Sequence, residues 1–520
     1  MTPRVVWAAA VAVAAVLLGL LLGLTPVGRS RVIGPLRTFA LAAALTVVLA
    51  HLLPEAFEEL GAVAVLLVAL VAAVPAWVRL VRGLSGPTGG GHGAHVGLAA
   101  GYAGLLVHHV GDGLGLGAYA SLPGGPAEYL DVLLALAVHT VPLVAVFALA
   151  FRAVAGVRAA VVRSVGLAAA SVAGVMLSSS VPAELTHELM AWIAAFVAGL
   201  LVHVMSHDLE RDLPTDALSR TLDLLAGITG AAVGLLGDDP ELRRLRGALA
   251  ETLEADAAKV ALPLFVAYLA VLAISRLRNR ALDQWLAPFP GPAWALDGVL
   301  VGAALAGPGF AGLLFVGVTL AARLGARHAA APREGRAVAV SSLLESAVPW
   351  ILTGLVLGAL IRAALPEAAL AVLSRPVALA LAAVVALPIW LPPAAAVMIA
   401  VALWERGLVP EAALAFALLA AQPRPAALAE IARRVGRSAA LSRLLTAALV
   451  GVGVGSVNAF VTPRPLAMPG GVGPAAALLL LLACAAVAWK TGLRALFGAV
   501  FHSHDTASSA SPADASVSAR

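Results

Sequence analysis

Charge is scarce in this chain. Only 12% of its 520 residues are Asp, Glu, Lys or Arg, whereas the surface of a soluble protein of this size needs roughly 25%. That shortage excludes a soluble multidomain protein, and 61% hydrophobic residues with a mean hydropathy of +0.97 say what replaces it. The composition is that of a polytopic membrane protein. Cysteine is almost absent too: Cys484 stands alone, which excludes an internal disulfide and any multi-cysteine metal cluster within one chain. Enzyme signatures are missing as well. THELMAW at 186–192 offers His187 and Glu188, but Ala191 occupies the place where HExxH needs its second histidine. No phosphate loop, dinucleotide fingerprint or nucleophile–base arrangement appears elsewhere, so the sequence does not read as an enzyme.

What is present is apolar sequence punctuated by arginine. The formal charge of +5 and the sequence pI near 9.9 would suggest a nucleic-acid partner in a soluble chain. Here the arginines fall in short loops beside apolar runs, as topogenic charge does, so no nucleic acid is expected and the lipid bilayer is the partner. Runs of about 20 apolar residues give some 16–17 helical spans. The opening VVWAAAVAVAAVLLGLLLGL is the first of them rather than a secretory signal, because TPVGRSR follows it instead of a small-residue cleavage site. Arg29, Arg31 and Arg37, then Arg79 and Arg82, then Arg152, Arg158 and Arg163, then Arg211 and Arg220 occupy alternate loops. The N-terminus is therefore expected outside and the C-terminus in the cytoplasm, across a bacterial inner membrane. The cluster Arg243, Arg244 and Arg246 breaks the alternation, and an external amphipathic helix would resolve it.

An ionisable side chain at membrane depth costs at least about 2.5 kcal/mol when charged, so it marks a functional interior by default. The N-terminal half concentrates such groups: His51, Glu55, Glu58, His108, His109, Asp112, His139, His203 and His207, with Asp208 beside the last. Three pairs, His51 with Glu55, His108 with Asp112, and His203 with His207, have i, i+4 spacing and so share a helical face. Imidazole nitrogen and carboxylate oxygen are ligands for Zn²⁺ and other first-row divalent ions. A lone helical histidine is more often a hydrogen-bonded interior residue than a ligand, and His203, His207 and Asp208 sit near a span end. They form a secondary candidate set. His502, His504 and Asp505 lie in a small polar tail that is expected to be disordered.

These residues carry a resemblance. HLLPEAFEEL at 51–60 looks like the second-helix signature of the ZIP family of zinc and iron transporters, HHVGDG at 108–113 resembles its fourth-helix HNxxDG pattern, and FVAGLLVHVMSHDLE at 196–210 is similar to its seventh helix. The resemblance spans about residues 5–237. It implies that His108, His109 and Asp112 occupy ligand positions, with His109 where the family usually has Asn. The fifth-helix HExPHE motif falls on HTVPLV at 139–144, so His139 and Pro142 remain while Thr140, Leu143 and Val144 replace the other ligands. A two-metal site is thus not expected. One metal held by His108, Asp112 and His139, with His109 or Glu55 nearby, is.

The second half pairs long spans with proline-broken hairpins. LPLFVAYLAVLAI and VPWILTGLVLGAL place Pro263 and Pro349 86 residues apart, and Pro308 and Pro393 follow at nearly the same offset. Such an arrangement suggests an inverted repeat with broken helices, as secondary transporters use. ESAVPWILTGLVLGALIRAALP at 345–366 and GLVPEAALAFALLAAQPRPAALAEIARRVG at 407–436 resemble bacterial permeases of heavy-metal and metalloid export. The family's cysteine-bearing turn falls on ALPIWLPPA, which has none.

The expected architecture is all-α: a ZIP-like bundle at 1–237, a polar linker or surface helix at 238–258, a permease-like bundle at 259–500, and a disordered tail at 501–520. The expected function is transport of a divalent cation, Zn²⁺ above all, which is a transported ligand and not an organic cofactor. The competing reading is a non-transporting membrane sensor or assembly component whose ligand sets have decayed. Assembly as a homo-oligomer fits either.

Overall fold

The computed structural model describes residues 3–24, 33–48, 53–61, 92–121, 130–178, 216–234, 240–276, 296–325, 340–387, 391–421, 435–457 and 472–491, with scattered positions in 63–71, 191–199 and 428–432. Every regular element among them is a helix. Five helical stretches are long and apolar enough to cross a membrane: Arg4–Leu24, Ala155–Leu177, Gly247–Ala273, Arg437–Val457 and Gly473–Thr491. Six shorter apolar helices accompany them.

The outer faces of these helices fit that reading. Trp7, Leu21, Val162, Leu269, Leu449 and Leu478 are among many large apolar side chains left exposed. An apolar surface this extensive needs a covering medium, and lipid supplies one.

In the N-terminal half, α1 (Pro3–Leu24), α2 (Ile33–Val47), α3 (Leu53–Leu60), α4 (His92–Ser121), α5 (Leu130–Leu177) and α6 (Ala217–Gly234) follow in order. α5 is two helices joined at Gly156, whose φ of 82° lies in the left-handed region. That single residue reverses the chain, because only glycine adopts such a φ without strain. α1 packs along the first part of α5, and α4 packs against α5 as well. Arg152 donates to the Leu24 carbonyl at 2.9 Å, while the Arg163 guanidinium lies 4.1 Å from the Phe151 ring centroid and 5.9 Å from that of Tyr102. Three expected loop arginines, Arg152, Arg158 and Arg163, therefore gather at one end of this bundle.

The C-terminal half is built from α7 (Pro240–Arg276), α8 (Leu296–Leu305), α9 (Pro308–Gly325), α10 (Val340–Ala364), α11 (Arg375–Ala386), α12 (Pro393–Glu405), α13 (Pro410–Ala420), α14 (Arg437–Val457) and α15 (Val472–Thr491). Proline stands at the N-terminus of α9, α12 and α13, where its missing N–H is an orphan donor in any case. α12 and α13 are apolar on all sides and almost wholly buried, as the core helices of a large bundle are. Residues 240–258, expected as a linker or surface helix, are the front of the continuous helix α7, with Pro263 inside it.

One ionic cluster ties this half together. Arg362 of α10 donates to Asp256 of α7 and to Glu405 of α12, and Arg406 donates to the Arg362 carbonyl. Arg362 and Asp256 are both buried. α7 and α10 also pack against each other. Among the described residues the main contact between the halves is α15 against α6.

Candidate functional site

The chain carries its densest described cluster of ligand-type side chains on α4. Around them the helix is threaded with glycine, Gly113 and Gly117, and this is what lets α4 lie against the second part of α5. A Cβ added at Gly113 would sit 2.1 Å from the Ser171 carbonyl oxygen, and one at Gly174 would sit 2.1 Å from the Val110 carbonyl oxygen. Small residues permit such backbone approach between membrane helices, where packing rather than the hydrophobic effect drives association.

The approach carries the histidines inside. His108 is 5% exposed and His109 1%. His108 Nε2 and Asp112 Oδ2 are 3.4 Å apart, as the i, i+4 spacing requires of two side chains on one face. This distance suits an ion pair if the imidazole is protonated. It equally suits two corners of a Zn²⁺ tetrahedron, since ligands at about 2.0–2.1 Å and a tetrahedral angle put neighbouring donors about 3.3 Å apart. Ligand pair and bridging ion thus need no rearrangement of α4.

His109 faces differently, because consecutive helical residues point about 100° apart. Its Nδ1 lies 2.9 Å from Ser171 Oγ on α5, and its ring meets that of His108 edge-on at 5.7 Å between centroids. Ser171 has one hydroxyl proton and two acceptors within reach, the Leu167 carbonyl at 3.3 Å and Nδ1 of His109 at 2.9 Å. When the proton goes to the carbonyl, a lone pair of the hydroxyl accepts Nδ1–H from His109 and Nε2 is the basic ring nitrogen. In that tautomer Nε2 can ligate a metal, and a hydrogen bond from the other ring nitrogen is the usual support of a ligating imidazole.

His139 lies on the first part of α5, with only its backbone described. Register gives its level. Tyr102 of α4 packs on Phe147 and Phe151 of that part of α5, at 6.2 and 6.0 Å between centroids. Ten residues along α4, about 15 Å, lead to Asp112, and the same step back along the antiparallel α5 leads to within about a turn of His139. The neighbouring Thr140, Leu143 and Val144 are buried, the last two in the apolar core of this bundle. They bring no metal donor of carboxylate or imidazole type.

Of the other expected residues, Glu55 lies on α3 with only its backbone described, while His51, His203, His207 and Asp208 lie outside the described residues. Among the described residues no group of three or more His, Cys, Asp and Glu side chains converges on one point. The described set is thus the His108–Asp112 pair with His109 beside it.

Ser171 was not among the candidates a sequence reading would pick, because serine in an apolar helix has many ordinary uses and its partner is 62 positions away. Four buried acids, Asp223, Asp256, Asp297 and Glu411, were also missed. Asp256 falls in a stretch that reads as a polar linker, and Asp297 stands at the edge of a short apolar run.

No protein-family model, curated protein or solved structure matches the chain. Class is therefore read from the fold: an all-helical protein whose apolar helices are consistent with a multi-pass membrane protein.

Proposed function

We propose that the protein is a membrane transporter of divalent metal cations, Zn²⁺ first among them, and that the ion is held in the N-terminal bundle by His108 and Asp112 with His139 as third ligand. The observation that carries this reading is the 3.4 Å separation of the buried His108 Nε2 from Oδ2 of the half-buried Asp112. His109 and Glu55 are the further donors at hand. The resemblance of residues 5–237 to ZIP transporters agrees with this set, and the apolar residues at 143 and 144 limit it to one metal. A fused permease-like unit, residues 259–500, completes the chain in this reading. Alternating arginine loops put the N-terminus outside and the C-terminus in the cytoplasm of a bacterial inner membrane.

Imidazolium and carboxylic acid cannot ligate until they lose their protons, so protons and the cation compete for the same donors. A lower pH therefore opposes binding at this site, and a proton gradient can drive the cation's exit.

Calorimetric titration of the detergent-purified full chain with Zn²⁺ tests the site. Replacing both ligands, His108→Ala with Asp112→Ala, is expected to weaken binding at least about a hundredfold, or about 2.8 kcal/mol. Zn²⁺ uptake into proteoliposomes should fall with it. Binding without uptake would favour the sensor reading, and binding untouched by the double substitution would remove HHVGDG from the site altogether.

A further inference from the structure

The C-terminal bundle contains a buried carboxyl that the metal reading does not use. Asp297 opens α8 and is 5% exposed. Its Oδ1 accepts the Gly298 N–H at 2.7 Å, and its Oδ2 accepts the Tyr268 hydroxyl of α7 at 3.4 Å. Tyr268 is itself buried.

The backbone around it is interrupted. Gly298 lies so close to Pro393 that an added Cβ would fall 2.4 Å from the proline Cβ. Pro393 is the first residue of α12, so the N-termini of α8 and α12 meet at this acid. Helix N-termini carry partial positive charge and favour the carboxylate. Burial favours the carboxylic acid, since an ionised group in a low-dielectric interior is costly without a partner. The two influences oppose each other.

Among the described residues nothing of full charge decides between them. From α7 the facing group is Tyr268, and Cys484 of α15 is the next titratable group beyond it. α12 carries its one acid, Glu405, at the far end, and α9 begins beyond the opposite end of α8. Among the described residues no Lys, Arg or His faces Asp297. In contrast, Asp256, 12 residues before Tyr268 on α7, is paired with Arg362. The bundle thus has two polar levels about 18 Å apart on α7, one ion-paired and one held, among the described residues, by neutral donors. Between them lie Val260, Leu264, Val301 and Leu305, all buried.

We propose that Asp297 is a reversible proton-binding site of the C-terminal bundle. Its carboxylate takes a proton from water to become the acid and returns it to water, with no other bond made or broken. Tyr268 orients it: the hydroxyl donates to Oδ2 in the ionised state and accepts from it in the protonated state. The site stands independently of whether the N-terminal bundle binds metal.

Infrared difference spectroscopy of the full chain in liposomes, recorded against pH in potassium and in sodium buffer, tests this. Protein carrying ¹³C-carboxyl aspartate should show a carboxylic-acid C=O band that appears as pH falls and carries the isotope shift. Asp297→Asn should abolish that band, and Tyr268→Phe, which removes only one hydrogen bond, should move its frequency. A labelled band that is constant with pH would mean a permanently neutral structural acid and would overturn the proposal. So would a band unmoved by Tyr268→Phe, which belongs to another aspartate, or one governed by sodium rather than by pH. Should Asp297→Asn fail to fold, the label and Tyr268→Phe still decide the outcome.

Discussion

Ser171 decides what His109 can do. With its proton on the Leu167 carbonyl it accepts from Nδ1 and leaves Nε2 of the ring basic, the state in which His109 can ligate. Ser171→Ala keeps the volume nearly unchanged and removes that acceptor. If His109 is a ligand, Zn²⁺ affinity measured by calorimetry should fall 10- to 100-fold, the usual consequence of losing such a support. The cost in thermal stability should be no more than about 1 kcal/mol. Stability lowered with affinity unchanged would make His109 a packing residue and leave the metal to His108, Asp112 and His139. The His108–Asp112 pair was legible in the sequence, because i, i+4 spacing on a helix is a local fact. The partner of His109 was not, because no local pattern links positions 109 and 171. Asp297 escaped for a related reason: its partners Tyr268 and Pro393 come from distant helices.

Glycines set how the helices approach, and they do so in two physically distinct ways. Gly156 has an open surrounding but a φ of 82° with ψ 173°, so Gly156→Ala meets no clash and costs only backbone strain of about 1–3 kcal/mol. Gly174 has ordinary helical geometry but no room, since a Cβ there would lie 2.1 Å from the Val110 carbonyl. Gly174→Ala must push α4 from α5, at a cost of about 1–3 kcal/mol. It should also weaken Zn²⁺ binding although it touches no ligand, whereas Gly156→Ala should leave affinity largely intact. Thermal unfolding in detergent with parallel calorimetry separates the two. A Gly174→Ala protein that binds as tightly as the wild type would show that the site does not depend on this helix contact. In the C-terminal half the same role of fixing helices falls to charge. Arg362→Ala strips the buried Asp256 of its partner and should cost about 3–5 kcal/mol by the same melting measurement. Sequence could mark Arg362 and Glu405 as charges near span ends, but their convergence on Asp256 depends on α7 being one continuous helix. That continuity is concealed by its polar first half.

The division of labour between the halves extends to the whole molecule. Each has its own apolar core, one around Val16, Leu105 and Phe147, the other around Leu264, Phe310 and Leu418. Composition alone made the all-helical, apolar character legible, since so little charge leaves no other surface than one covered by lipid. How the helices divide into two cores depends on side-chain fit between distant segments. With α15 against α6 as the main contact between the halves among the described residues, a ligand for one core has little means of stabilising the other. A metal bound only to the native N-terminal bundle stabilises that bundle by RT ln(1 + [L]/Kd), about 2.7 kcal/mol at a hundred times Kd. Scanning calorimetry of the full chain should therefore resolve two transitions, of which Zn²⁺ raises only one. The same transition should stop responding when His108→Ala and Asp112→Ala are introduced, while Arg362→Ala should lower the other alone. A single transition shifted by both changes would mean that the two bundles unfold as one body, in which case metal release in the first half and proton binding at Asp297 in the second have a direct mechanical route to each other.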